Sequence, residues 1–130
     1  MAKIVVRLRN GRVIKGYASR FHSHNSDDLR MVEYKTEKVR VIPYSILKAI
    51  FFVYDFEGNP QHQSQKGFRT ENLPGGKETV VVFEDGEELF GYVQMAHPDR
   101  NGFFVFPADS DGNNERIYVI RSAVSECREP

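Results

Sequence analysis

The sequence predicts an all-β protein made of two tandem small barrels, each of five strands and partly open. Three observations favour this fold class. The chain repeats itself at an offset of 75 residues, each copy contains a strong hairpin signal, and no segment has a helical period of useful length. With 130 residues and 40% hydrophobic composition, the chain is long enough to bury a core and too short for a large multidomain enzyme.

The internal repeat organises the chain. Eight positions are identical in the two copies: Val5, Val6, Gly11, Gly16, Tyr17, His22, Val41 and Ile42. The aligned segments are residues 5–17 with 80–92, 29–31 with 104–106 and, after three extra residues, 39–42 with 117–120. Because turns and apolar runs follow in the same order, we expect residues 1–53 to form a first barrel, 54–76 a linker or loop, and 77–130 a second barrel.

A hairpin opens each copy. Asn10-Gly11 and Asp85-Gly86 are typical of type I′ turns, because both central residues of such a turn need a positive φ. Gly16 and Gly91 lie within the second strand of each copy, where a missing side chain permits a bulge or a sharp bend. We therefore expect the second strand to curl each small sheet.

Further apolar runs complete five strands in each copy. They are residues 29–34, 39–42 and 46–53 in the first copy, and 103–106, 116–120 and 124–128 in the second. Residues 44–46 and 122–124 could form at most a single helical turn. Five short strands in about 50 residues is typical of a small, partly open barrel.

The connecting segment is polar and rich in Gly and Pro, as expected for a linker or a mobile loop. Phe56 and Phe68 are its two phenylalanines. We expect them to pin the segment onto a neighbouring barrel rather than to bind a ligand.

Charge is segregated between the copies although the chain as a whole is neutral. Residues 1–53 hold 11 Lys and Arg against 4 Asp and Glu, a net of +7, whereas residues 77–130 hold 5 against 11, a net of −6. The sign reverses at four aligned positions: Lys3 with Glu78, Arg9 with Glu84, Arg12 with Glu87, and Lys48 with Glu126. Either complementary faces of the copies meet, within a chain or head to tail between chains, or the two copies diverged on solvated faces.

The basic first copy offers a second interpretation, which is RNA or DNA binding. Its hairpin is surrounded by Arg7, Arg9, Arg12, Lys15 and Arg20, and Tyr17, Phe21 and Tyr34 could stack on bases. Alternate residues of a strand face opposite sides, so the same pattern also fits a plain solvated strand.

The order of elements resembles the Sm-like barrel, through the hairpin, the internal glycine and the late Ile46-Leu47-Lys48-Ala49-Ile50 strand. Sm-like proteins carry an apolar-apolar-basic-Gly motif before the last strand, which helps to bind RNA. The corresponding residues here read Val41-Ile42-Pro43-Tyr44 and Val119-Ile120-Arg121-Ser122. The resemblance therefore implies the fold, and it does not carry over the glycine of the RNA site.

The chain is also similar to an uncharacterised bacterial family of tandem-repeat proteins. The similarity rests on residues 11–17, 47–59, 102–109 and 113–116, and it spans nearly the whole chain. It implies a bacterial, cytoplasmic protein and brings no activity.

The sequence offers little for catalysis or cofactor binding. His22, His24, His62 and His97 lack a second histidine-rich segment that would complete a metal site, and His22 and His97 occupy the same repeat position, as expected for a structural role. Cys127 is the single cysteine, so no internal disulfide can form, and we expect it to be buried and inert. We predict no catalytic residue, no cofactor and no metal.

These observations predict a non-enzymatic binding or adaptor protein of the cytoplasm that contacts a protein partner or a second copy of itself. The alternative is an RNA-binding Sm-like regulator using the basic first copy. No membrane partner is expected, because no apolar run approaches about 18 residues. Phe51 and Phe52 cannot both face one core, so one of them should cover the linker, the other barrel or a partner. The candidate interaction surface comprises the edge strand 47–52 and both charged hairpins: Arg7, Arg9, Arg12, Lys15, Tyr17, Lys48, Phe51, Phe52, Glu84 and Glu87.

Overall fold

A computed structural model of the chain describes residues 1–18, 27–57, 77–93, 101–109 and 112–130. Throughout these residues the regular structure consists of β-strands and two single 3-10 turns, Tyr44–Ile46 and Arg121–Ala123. The all-β prediction is therefore confirmed. The strands are β1 (Ala2–Leu8), β2 (Val13–Ala18), β3 (Asp28–Glu33), β4 (Val39–Pro43), β5 (Leu47–Val53), β6 (Lys77–Phe83), β7 (Glu88–Val93), β8 (Gly102–Pro107), β9 (Asn114–Ile120) and β10 (Val124–Arg128).

The strands form one antiparallel sheet in the order β10-β6-β7-β8-β9-β5-β1-β2-β3-β4. We call β1–β5 the first half and β6–β10 the second half; each half has its fifth strand beside its first and its fourth strand at the far end. The halves are joined because β5 pairs with β9. The structure thus shows a continuous open sheet in place of the two separate barrels predicted, since β5 gives its second edge to β9.

The first hairpin closes through a three-residue loop. The Leu8 N–H donates to the Arg12 carbonyl at 2.9 Å, and Gly11 has φ of 91°. Asn10 Oδ1 accepts a hydrogen bond from the Arg12 N–H at 2.9 Å. The predicted hairpin is confirmed, but the type I′ turn is wrong, because a three-residue loop needs a positive φ only at its last position. The second hairpin has the same hydrogen bonds through Phe83, Asp85, Gly86 and Glu87.

Gly16 allows β3 to approach β2 closely. A Cβ atom at Gly16 would lie 2.2 Å from the Val32 carbonyl oxygen, a distance that no side chain can occupy. Gly91 lies equally close to β8, with the Phe106 carbonyl oxygen 2.6 Å from the same imagined atom. The pairing of β2 with β1 runs without a register shift, so the glycine serves strand approach rather than a bulge.

One hydrophobic core extends through both halves. β1 alternates, burying Ile4, Val6 and Leu8 toward the core. β5 and the second part of β9 are buried on both faces. Each fully buried aliphatic side chain contributes roughly 1.5–3 kcal/mol, so most of the joining energy lies at these central strands.

The strand pairings change the alignment of the two halves by one residue from the offset of 75 that the sequence indicates. Tyr17 faces Val32 and Tyr92 faces Phe106, so Val32 corresponds to Phe106 rather than to Pro107. The extra residues of the second half lie between β8 and β9. The change matters because a one-residue error in the alignment of a strand would assign each of its side chains to the wrong face of the sheet. By these pairings Val41 corresponds to Tyr118, Ile50 to Cys127, and Lys48 to Ser125 rather than to Glu126.

The start of the connecting segment is attached to the sheet. Phe56 is buried and its ring stacks on Tyr34 with centroids 4.4 Å apart. This contact with the first half is the kind of attachment that the sequence predicts for Phe56. Phe68, given the same role, lies outside the described residues.

Candidate functional site

The charged hairpins of the two halves meet in what we call the ionic seam: Arg7, Arg9 and Lys48 of the first half with Glu84, Asp85 and Glu87 of the second. Lys48 is at its centre, with Nζ 2.7 Å from Asp85 Oδ2 and 2.5 Å from Glu87 Oε1. Only 11% of its side chain is exposed, and its ammonium lies 4.7 Å from the centroid of the Phe83 ring. The basic and acidic copies therefore contact each other within one chain.

Two arginines flank this lysine. Arg7 Nη1 lies 3.3 Å from Glu87 Oε2, and Arg9 Nη1 lies 3.9 Å from Glu84 Oε2. Arg9 also donates hydrogen bonds to the Ser122 hydroxyl and to the Leu47 carbonyl. These partly exposed pairs contribute about 0.2–1 kcal/mol each, so they orient the two halves more than they hold them together.

The seam shifts the pKa of both groups at its centre. Burial by itself would lower the pKa of Lys48, but hydrogen bonds and charge from Asp85 and Glu87 outweigh it and raise the pKa above its ordinary value of 10.5. The hydrogen bond from Lys48 lowers the pKa of Asp85 below its ordinary value of 3.8. Lys48 and Asp85 are therefore both charged across the neutral range.

The strand predicted as an exposed edge, residues 47–52, is the central strand β5, which corrects that interpretation. β5 lies between β1 and β9, so its edge is occupied by the second half of the same chain. Phe52 is buried against the Arg116 guanidinium, whose carbon is 4.5 Å from the ring centroid. The half-buried Phe51 is covered by the guanidinium of Arg7 at 4.7 Å. Lys48, Phe51 and Phe52 therefore contact the chain itself.

The remaining predicted residues form a separate surface on the first half. Tyr17 packs edge to face on Phe56 with centroids 5.3 Å apart, and Lys15 Nζ donates to the Phe56 carbonyl at 3.0 Å. Arg12 is exposed beside them. A shallow cavity of about 310 Å³ opens here and is lined by four basic residues, Arg12, Lys15, Lys35 and Arg40, with Tyr34, Glu33 and Glu57 among their neighbours.

Sequence reasoning missed the two open edges of the sheet. Among the described residues, β4 pairs with β3 alone and β10 with β6 alone. Val39 and Val41 on β4 are 63% and 53% exposed, a large exposure for two valines of one short strand. A possible sequence signal was Pro43, because proline in a sheet is confined to edges and strand ends. An edge with exposed valines is a ready template for another strand.

The described residues contain no group of three or more His, Cys, Asp or Glu side chains that could hold a metal ion. All four histidines lie outside those residues, as do Arg20 and Phe21. Cys127, expected to be buried, is exposed on β10. In the same part of the chain, no helix has the length and apolar character needed to cross a membrane.

In the described part of the chain, the protein is built on a single open ten-stranded antiparallel sheet, with the ionic seam between its halves and an unpaired edge at each end. The chain belongs to a family described as a family of unknown function (DUF6982), whose model matches residues 1–129. Neither the curated proteins nor the solved structures contain a significant match to the chain.

Proposed function

We propose that this chain is a non-enzymatic adaptor that binds protein by strand addition at the open edges of its sheet. The observation that carries the proposal is that β4 and β10 have no strand on their outer sides among the described residues, with Val39 and Val41 exposed on β4. Strand addition gives affinity through main-chain hydrogen bonds and specificity through alternate side chains. An edge of this kind needs no catalytic group or cofactor to function.

The halves fit a tandem pair of Sm-like units. Each half has the strand order in which the fifth strand precedes the first and the fourth strand ends the unit. The two hairpins have the same loop hydrogen bonds, which supports descent from one repeated unit. We further propose that the adaptor is a bacterial, cytoplasmic protein, as the family resemblance of its sequence implies; its single cysteine fits a reducing compartment.

A labelled peptide with the sequence of residues 123–130 tests strand addition at β4. We expect it to bind the full chain, as measured by fluorescence anisotropy, and to lose at least about tenfold in affinity on Val41→Pro, which removes an N–H from the open edge. Val13→Lys is the control, because Val13 is as exposed as Val41 (52% against 53%) and lies on β2. Equal binding by both variants would contradict the proposal.

RNA binding by the first half is the second candidate, and the basic cavity beside Tyr34 is the observation that favours it. It ranks second because Arg7, Arg9 and Lys48 already contact carboxylates of the seam. Its test is anisotropy with a labelled single-stranded RNA of about 12 nucleotides at several salt concentrations.

If the RNA interpretation is right, affinity falls steeply with salt, and the double variant Arg12→Glu/Lys35→Glu abolishes binding. Arg128→Glu, at the opposite end of the sheet, is the charge-matched control for a single reversal. Binding that ignores salt, or that Arg128→Glu weakens as much as Arg12→Glu alone, would exclude this surface.

A further inference from the structure

The contact between the two halves is heterologous, because it joins the fourth strand of one half to the fifth strand of the other. β9, the fourth strand of the second half, pairs with β5, the fifth strand of the first. The strands left at the ends of the sheet are β4 and β10, again a fourth and a fifth strand. Within the described residues, each chain therefore leaves unpaired both strands of the contact that it has already made once internally.

The backbone of β4 directs hydrogen-bonding groups to the open side. In antiparallel pairs, alternate residues point their N–H and C=O toward the same neighbour. The Tyr44 N–H donates to the Asp27 carbonyl, so Ile42, two residues earlier, also faces β3. Val41 and Val39 therefore direct their backbone groups away from the sheet, as their counterparts on β9 do toward β5.

β10 does the same at the other end. The Phe83 N–H bonds across to β7, so the next residue along β6, Val82, faces β10, where its partner is Glu126. Cys127, the following residue, then directs its backbone to the open side. Its counterpart Ile50 pairs with Tyr118 in the internal contact, and the counterpart of Tyr118 is Val41. The internal register, transferred to the open edges, places Cys127 opposite Val41.

The second half has a cavity at a position where the equivalent residues of the first half are buried. It measures about 330 Å³ and includes Thr79, Phe103, Arg121 and Cys127 in its lining. The corresponding residues of the first half, Ile4, Leu29, Tyr44 and Ile50, are all buried. Part of that cover is β9, whose Tyr118 ring lies 6.5 Å from the Tyr44 ring. Among the described residues, no strand equivalent to β9 lies beside this cavity.

The transferred register brings one pair of opposite charges near each other and places one pair of like charges face to face. Lys38 precedes β4, and Glu129, just after β10, lies opposite the neighbouring Val39, although Glu129 also pairs with Lys77 of its own chain at 2.8 Å. Arg40 would face Arg128, and each guanidinium is already paired, with Glu33 at 2.7 Å and with Glu88 respectively. These carboxylates offset the like-charge contact, so the register is electrostatically permitted.

We propose that β10 of one chain pairs antiparallel with β4 of a second copy, with Cys127 opposite Val41, so that chains assemble head to tail. This inference rests on the proposed function, since it names the partner of the same edges. Val41 then covers the cavity of the second half, as Tyr118 covers the first. A heterologous contact of this kind closes into a ring or grows into a filament.

Mass measurement gives the first test. Sedimentation from about 1 to 100 µM should show assemblies of at least two 15.0 kDa chains, and Val41→Lys should weaken the association at least about tenfold. Val13→Lys, at an equally exposed valine, should leave it unchanged. A chain that stays monomeric over this range overturns the inference, and if the peptide of residues 123–130 still binds, the proposed function survives.

Cross-linking tests the register. Opposite residues of a hydrogen-bonded pair have Cα atoms about 5.5 Å apart, within reach of a disulfide. Val41→Cys should therefore cross-link to the native Cys127, which is exposed, on oxidation at basic pH. Basic pH is needed because partial desolvation raises the pKa of this thiol above its ordinary value of 9.0. The expected product is a ladder of multiples of 15.0 kDa, at least about tenfold more abundant than with Val13→Cys.

Mixing isotopically labelled and unlabelled chains identifies which residues are joined. A disulfide between the introduced thiol of one chain and Cys127 of another supports the head-to-tail pairing. A disulfide within one chain overturns it, and so does a product that joins only like positions of two chains, because that would be a two-fold symmetric contact.

Discussion

Replacing Lys48 by methionine isolates the charge at the centre of the ionic seam. Methionine keeps the buried apolar stem of the lysine and removes the ammonium that Asp85 and Glu87 share. Those carboxylates are 56% and 44% exposed on their side chains, so they regain water when the ammonium is lost. The cost is therefore far below the 3–5 kcal/mol of a fully buried pair.

We expect Lys48→Met to lower the free energy of unfolding by about 1–2 kcal/mol. About 1 kcal/mol comes from two half-exposed ion pairs and up to about 1 kcal/mol from the contact with the Phe83 ring. Lys48→Ala should lose about 2 kcal/mol more, because it also removes buried methylene groups. Lys3→Met, at an exposed lysine of the same half, should change stability by less than about 0.5 kcal/mol.

The assay is urea unfolding of the single variants and of Lys48→Met combined separately with Asp85→Asn and with Glu87→Gln. Each double variant completes one double-mutant cycle. A coupling energy of zero, with Lys48→Met as stable as the native chain, would refute the reasoning. A normal cost for Lys48→Met without coupling to either carboxylate would also do so, because the loss would then come from packing.

The effect of Lys48→Met should also depend on pH. The lowered pKa of Asp85 gives stability that is fully present above about pH 4 and is lost as the pH falls through the folded-state pKa, below 3.8. The raised pKa of Lys48 gives stability that is fully present below about pH 10 and is lost as the pH rises through the folded-state pKa, above 10.5. The difference between native chain and variant should therefore be largest at neutral pH and shrink at both extremes.

Two further substitutions test the packing of the first half. Gly16→Ala should cost at least about 3 kcal/mol in urea unfolding, because its Cβ would meet the Val32 carbonyl, whereas Gly11→Ala, in open space at positive φ, should cost about 1 kcal/mol; similar costs for both would contradict the close approach. Phe56→Ala should cost about 3 kcal/mol in urea unfolding, since Phe56 is buried and stacks on Tyr34. Unchanged stability would show that the packing of Phe56 does not stabilise the first half.

Much of the local structure followed from the residues. The Asn10-Gly11 and Asp85-Gly86 steps predicted both hairpins, although each loop has three residues with its glycine at positive φ in the last position. Opposite charges at aligned positions indicated that the halves could meet, and Arg9 and Glu84 do meet. Turn residues and charges at aligned positions can be recognised directly in the sequence, so these features could be predicted.

The position of β5 could not be predicted in the same way. Its apolar run predicts a strand. An apolar run has the same sequence pattern whether the strand beside it belongs to a partner protein or to the other half of the chain, so the pattern does not identify that strand. Here the neighbour is β9, whose Val119 lies 70 residues further along the chain than Ala49. That pairing converted Lys48, Phe51 and Phe52 from a predicted surface into an internal contact.

The sequence by itself determined that the chain folds into short antiparallel strands, where its hairpins turn, and which half carries which charge, because these depend on backbone preferences and composition within a few residues. Only the tertiary structure decided which edges of the sheet are used and which stay open. Strand pairing is directed by hydrogen bonds that every residue can make, so an edge is closed by whichever strand packing brings beside it. In the part of this chain that the structure describes, β9 pairs with the outer side of β5, and the outer sides of β4 and β10 are unpaired.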